Sequence, residues 1–300
     1  MVQYLAQNAL TPTIAYTVSV IGSLLGLSFA ARARLTVSGA RWVWLALAAL
    51  SLGGTAVWSM HFIAMMGYSV PDVIIRYDPL LTVGSGALAV AVMAVALALT
   101  VTRPTNARLV VGGLISGIGI VSMHYMGMAS MNFVGTMRHD HGHVIAATAI
   151  ALVAATAALW FASRLRGSPV IVGASLVMAA AVTAMHYTAM AGVDIAPPAS
   201  EGRRAAPSGS SAHDLLLPLI VGLFVFLLIC SLVLMLAAED RGRTAPGAPT
   251  TRGEERRDGD GRLGSGRADA DAASYTPRHS ARGGTRPPSP DDDVWTPRRR

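Results

Sequence analysis

Three Met-His pairs recur in the chain, with His61, His124 and His186 spaced 63 and then 62 residues apart. The copies read Met60-His61-Phe62-Ile63-Ala64-Met65, Met123-His124-Tyr125-Met126-Gly127-Met128 and Met185-His186-Tyr187-Thr188-Ala189-Met190. Their shared pattern is Met-His-aromatic-x-small-Met. Each copy lies near the end of a long apolar run, where an ionisable side chain is costly and marks a functional site by default. The His and the second Met stand at i and i+4, neighbours on one helix face. His61 with Met65, His124 with Met128 and His186 with Met190 therefore each present an imidazole beside a thioether. Met60, Met123 and Met185 project about 100° away; they flank the same cavity or pack against a neighbouring helix. Imidazole suits copper, zinc and iron, and thioether selects Cu(I). A His/Met set with no Cys or carboxylate beside it favours copper over zinc. The competing chemistry is a protonatable His cluster that responds to pH.

The elements that must carry these residues are apolar segments long enough to cross a bilayer, which takes about 20 residues. Seven qualify, at roughly 13–32, 42–67, 79–101, 109–134, 144–163, 169–193 and 214–238. In lipid each must satisfy its own backbone hydrogen bonds, so each is expected to be a helix. The repeat predicts an all-α integral membrane protein of three helix hairpins plus a seventh helix, each hairpin contributing one motif helix. All three motifs then fall at one depth.

Arginines set the expected direction. Arg32, Arg34, Arg41, Arg103, Arg108, Arg164 and Arg166 flank the odd-numbered connections, and Arg76, Arg138, Arg203 and Arg204 the even ones. The richer side faces the cytoplasm. The N-terminus is thus expected outside and the C-terminus inside, with the motifs in the outer leaflet.

The chain of 300 residues is 52% apolar, with mean hydropathy +0.48, outside the range of soluble globular domains. Charge concentrates at one end. Residues 239–300 hold 13 of the 24 basic and 11 of the 17 acidic residues. The expected organisation is a membrane domain at 10–240 and a disordered cytoplasmic tail at 241–300, which is too polar to bury a core. Because acids interleave with the tail arginines, the net charge of +7 does not predict a nucleic-acid partner. The single cysteine, Cys230, excludes an internal disulfide and a Cys-rich metal site. Residues 1–12 lack a basic stretch, so no cleaved leader is expected. The spans carry no carboxylate pair or nucleophile–base arrangement, and no enzyme activity is expected.

The motifs resemble the MHYT domain, a bacterial integral-membrane sensor module named for its repeated Met-His-Tyr-Thr. Met185-His186-Tyr187-Thr188 matches in full, while the other copies read Met-His-Tyr-Met and Met-His-Phe-Ile. Phe62 and Ile63 depart from the pattern and remove the phenol and hydroxyl at that copy. The resemblance covers roughly residues 10–240. It implies copper held by the His and Met residues near the outer face, and a response to oxygen, carbon monoxide, nitric oxide or redox state. Family members often carry cytoplasmic domains for cyclic-di-GMP turnover. Residues 241–300 contain no such motif, so the signal is expected to pass to an unidentified cytoplasmic partner. A metal transporter or channel, and a haem-binding membrane protein, are the alternatives. His139-Asp140-His141-Gly142-His143 forms a second candidate cluster, either a weak chelator in a loop or a hydrophilic turn. Residues 194–213 are expected to be a flexible connection.

Overall fold

Apolar runs bounded by short polar connections fold into seven long helices among the described residues of the computed structural model. These residues are 10–70, 73–196 and 207–243, with side chains described as far as 236. The helices are α1 (Leu10–Leu35), α2 (Ala40–Met66), α3 (Pro79–Thr102), α4 (Asn106–Ala129), α5 (His141–Arg164), α6 (Ser168–Ala191) and α7 (Ala212–Arg243). All seven are long and apolar enough to cross a membrane. The expected all-α membrane architecture is therefore borne out. The expected tail lies outside the described residues beyond Arg243.

Local chemistry explains where several helices begin. Asp78 accepts hydrogen bonds from the Leu80 and Leu81 amides, at 2.8 and 3.0 Å, with Pro79 in the first turn. Thr105 Oγ1 accepts from the Arg108 amide, and Asp140 from the His143 amide. Such side chains satisfy backbone donors that a helix start leaves open. The Asp140 cap starts α5 at His141, three residues before the sequence-based boundary. Likewise α4 stops at Ala129, before the expected 134, because the chain turns at Ser130 into a strand.

Helices α1 to α6 pack in chain order, and α6 returns to α1, closing a six-membered ring. Motif helices α2, α4 and α6 thus alternate around it. Small residues permit the close approach, as is usual where helices meet in lipid. A Cβ on Gly22 would lie 2.5 Å from the Ala56 amide nitrogen, and one on Gly53 would lie 2.6 Å from the Ala89 carbonyl oxygen. Ser19 donates a hydrogen bond to the Ala56 carbonyl at 2.9 Å, tying α1 to α2. Trp58 Nε1 donates to the Thr82 carbonyl at 3.1 Å, tying α2 to α3. Of the seven spans α2 is 61% buried, whereas α7 is 6% buried and turns Leu217, Phe224, Leu228 and Leu232 outward. Cys230, the one fully buried residue among α7's core contributions, lies within the main apolar cluster.

Two features were not expected. Residues Leu50–Ser59 of α2 form a π-helix, in which hydrogen bonds span five residues. The Ser59 hydroxyl follows the same step, donating to the Gly54 carbonyl at 3.0 Å. The second is a pair of small antiparallel sheets at the ends of the motif helices. β1 (Arg76–Tyr77) pairs with β2 (Met131–Asn132), and β3 (Thr136–His139) with β4 (Val193–Ala196). Residues 194–196 of the expected flexible connection are therefore ordered in β4, and 197–206 lie outside the described residues. Tyr77 also exchanges two 2.9 Å backbone hydrogen bonds with Ser210, just before α7.

A Gly22→Val substitution forces side-chain atoms against the α2 backbone. It should destabilise the detergent-solubilised protein by about 2 kcal/mol or more, read as a lower midpoint in thermal unfolding; an unchanged midpoint would contradict the packing described.

Candidate metal centre

His61, His124 and His186 each lie five residues before the last residue of their helix: Met66, Ala129 and Ala191. The near-constant repeat spacing becomes a constant depth, and the alternation of α2, α4 and α6 turns that depth into a meeting point. All three histidines are 1% exposed. His61 Nδ1 lies 3.1 Å from His186 Nδ1 and 3.2 Å from His124 Nδ1. The ring centroids are 4.9, 5.1 and 5.2 Å apart, with planes crossing at 74°, 79° and 82°.

Proton accounting constrains this arrangement. A neutral imidazole nitrogen carries either one proton or one lone pair. His61 Nδ1 therefore cannot donate to one neighbour and accept from the other. Converging lone pairs on a shared cation remove that conflict. Two ligands about 2.0 Å from one ion, in tetrahedral disposition, stand roughly 3.3 Å apart, close to the separations seen. Ligand atoms of all three residues lie within 4.8 Å of one another, and among the described residues no other group of three His, Cys, Asp or Glu side chains meets that condition. The residues present fit a metal ion.

The fit depends on two local devices. In the π-segment each residue advances the helix by less than the about 100° of an α-helix, which sets the rotation at which Met60–Met66 resumes. The second device is Gly127 on α4. A Cβ there would collide with His61 Nε2. Nε2 of His61 and of His124 are buried without a hydrogen-bond partner, so binding through Nδ1 leaves these as the outward ring nitrogens.

The methionines divide into two groups. Met65, Met128 and Met190 are buried together with Phe62, Tyr77 and Met131, one helical turn outward from the histidines. Met60, Met123 and Met185 belong to the main core of the bundle. Sequence reasoning overlooked Met131, Met137 and Tyr77, and the room that Gly127 leaves for His61. Two-residue strands leave no periodic signal, and a glycine's clearance depends on the helix opposite. Tyr77 lies outside the spans; burial pushes its phenol up to about 12, and the neutral hydroxyl donates to the Met65 carbonyl at 3.4 Å.

The His139–His143 stretch is divided between two elements. His139 closes β3 and its ring lies 5.3 Å from Tyr125. His143 Nδ1 instead lies 2.6 Å from the capping Asp140 carboxylate, whose pKa this hydrogen bond lowers. Inward of the triad the core is built of apolar side chains with buried Ser and Thr hydroxyls among them, such as Ser23, Ser51 and Ser116. A cavity of about 20 Å³ there is lined by Leu52, Met93, Ile120, Met178 and Met185, with Ser23 supplying a hydroxyl.

A Gly127→Ala substitution should displace the His61 ring. Metal affinity is expected to fall by roughly tenfold or more at unchanged helix content; unchanged affinity would show that His61 does not sit against Gly127.

Comparison with known proteins supplies the context. Residues 54–113 and 117–175 match the MHYT family, described as a bacterial signalling protein N-terminal repeat. The chain is 38% identical over 190 residues to the bifunctional diguanylate cyclase/cyclic di-GMP phosphodiesterase MucR of Pseudomonas aeruginosa, covering 61% of this chain and 27% of that protein. It is 32% identical over 195 residues to the cyclic di-GMP phosphodiesterase NbdA of the same organism, covering 62% and 24%. A signalling protein of Caulobacter vibrioides is 31% identical over 160 residues, covering 53% and 20%. The chain thus spans about a quarter or less of the length of these relatives. No solved structure matches it.

Proposed function

The membrane region of this chain is an MHYT signalling sensor domain, and on that premise we propose that His61, His124 and His186 hold a copper ion through which the protein senses a diatomic gas or redox state. The observation that carries this reading is the convergence of three buried imidazoles with no carboxylate among the buried side chains of the described spans. Such a nitrogen set suits copper, and the thioethers of Met65, Met128 and Met190 one turn outward favour its reduced form. Copper bound there would supply a one-electron couple and a coordination position for O2, CO or NO.

The protein's own part is to hold the three rings in fixed orientation and to keep water from them. A change in ligand or charge at the triad alters how tightly α2, α4 and α6 are drawn together at one end. Because the helices are rigid and closely packed, that change is transmitted along them. The arginine distribution supports an outward-facing triad and a cytoplasmic C-terminus. The output is passed to a partner; cyclic di-GMP turnover, named in two of the relatives, is the chemistry we assign to that partner and not to this chain.

The packed core inward of the triad favours a sensor over a conduit, since the cavity there is only about 20 Å³ and its lining carries no charged group. A haem held by two of these imidazoles would need them on opposite faces of its macrocycle. Centroids 4.9–5.2 Å apart leave no gap for one.

Purified protein should contain about one copper per chain, falling below roughly one tenth in His61→Ala, His124→Ala and His186→Ala variants that remain folded. Equal, substoichiometric copper in wild type and variants would overturn the reading, and a Soret band would replace it with haem.

A further inference from the structure

A triad this deeply buried needs a route by which a cation arrives. The flanks of the bundle face lipid, which excludes hydrated ions, and the inward side is packed. At the outer end, however, a cleft of about 510 Å³ runs between the start of α1, the end of α2 and the end of α6, with His186 in its wall. Thr11 and Gly67 close one side of it. A Cβ on Gly67 would lie 2.7 Å from Thr11 Cγ2, so the two helix ends seat directly on each other.

The donors along the cleft are ordered. Asp194, Met190 and His186 all line it, and in sequence they stand four residues apart. Asp194 is exposed on β4, where Arg138 of β3 is its cross-strand partner. Met190 is 5% exposed and lies one helical turn outward from His186. A cation entering from water therefore meets a carboxylate, then a thioether, then an imidazole. The remaining wall is neutral, including Ala64, Val70 and Ile195. Thioether in the middle of such a path passes soft cations and holds hard ones poorly.

We propose that this cleft is the entry route by which Cu(I) reaches the triad, with Asp194 at its mouth and Met190 as the intermediate donor. The inference rests on the metal reading above. It assigns His186 as the first histidine to meet the ion, and His61 and His124 as the pair that completes the site.

The test uses the full chain with Cys230→Ser, which removes the sole native thiol. Ser69→Cys and Ala191→Cys each place a thiol in the cleft wall, and Thr136→Cys places one on β3 outside it. Each variant is treated with a charged methanethiosulfonate reagent, and Cu(I) uptake from a chelator buffer is followed in time. Modification at Ser69→Cys or Ala191→Cys should slow uptake at least roughly tenfold, with the final copper content unchanged. Modification at Thr136→Cys should leave the rate alone. If both modified cleft variants load at the background rate while the background loads normally, the entry route is wrong and the metal centre stands. If the unmodified background takes up no copper at all, the metal reading falls and the route with it.

Discussion

Three imidazoles in van der Waals contact, each 1% exposed and with no carboxylate among the buried residues described, set the terms for this membrane domain. Lipid offers no water to satisfy them, and the shared His61 Nδ1 cannot at once donate to one neighbour and accept from the other. The bundle has to bring three histidines from three different helices to one point and hold them there. Helices that meet only through apolar side chains in lipid gain little from burial, so close packing and interhelical hydrogen bonds must supply the precision. The Gly22–Ala56 and Gly53–Ala89 approaches, the Ser19 bond and the Trp58 bond do so around α2, the most buried span.

Above the histidines the organisation changes from helix packing to a cap. Met65, Met128 and Met190 pack with Tyr77 and Met131 under the two small sheets. These sheets join segments that follow different motif helices: β3 continues from the α4 end and β4 from the α6 end. A strand pairing between them fixes the spacing of two helix ends whose histidines lie five residues below. The β3–β4 pairing ties the ends of α4 and α6 together, so a displacement at the triad is shared between those two helices.

Much of this was legible in the sequence. The 63- and 62-residue spacing, read with the hydropathy, placed His61, His124 and His186 at one depth in alternate spans, and the ring closure of α1 to α6 brings them together. What the pattern could not specify was rotation. The π-segment at Leu50–Ser59 is as apolar as an α-helix would be, and nothing in its composition announces wider turns. The sheets were missed for a related reason, since Arg76–Tyr77 and Met131–Asn132 are too short to alternate. The His139–His143 cluster was ambiguous because spacing alone does not distinguish a chelating loop from a capped helix start. Asp140 decides it for His143 by accepting that residue's amide and facing its ring.

The central claim is that the three Nδ1 atoms share one copper ion. X-ray absorption at the copper edge of the purified, copper-loaded protein addresses it directly. The predicted spectrum has the outer-shell scattering of imidazole rings, fitted by three histidines, and is lost with the bound copper in each single His→Ala variant. A spectrum fitted by sulfur or oxygen ligands without imidazole, and unaltered in those variants, would contradict it.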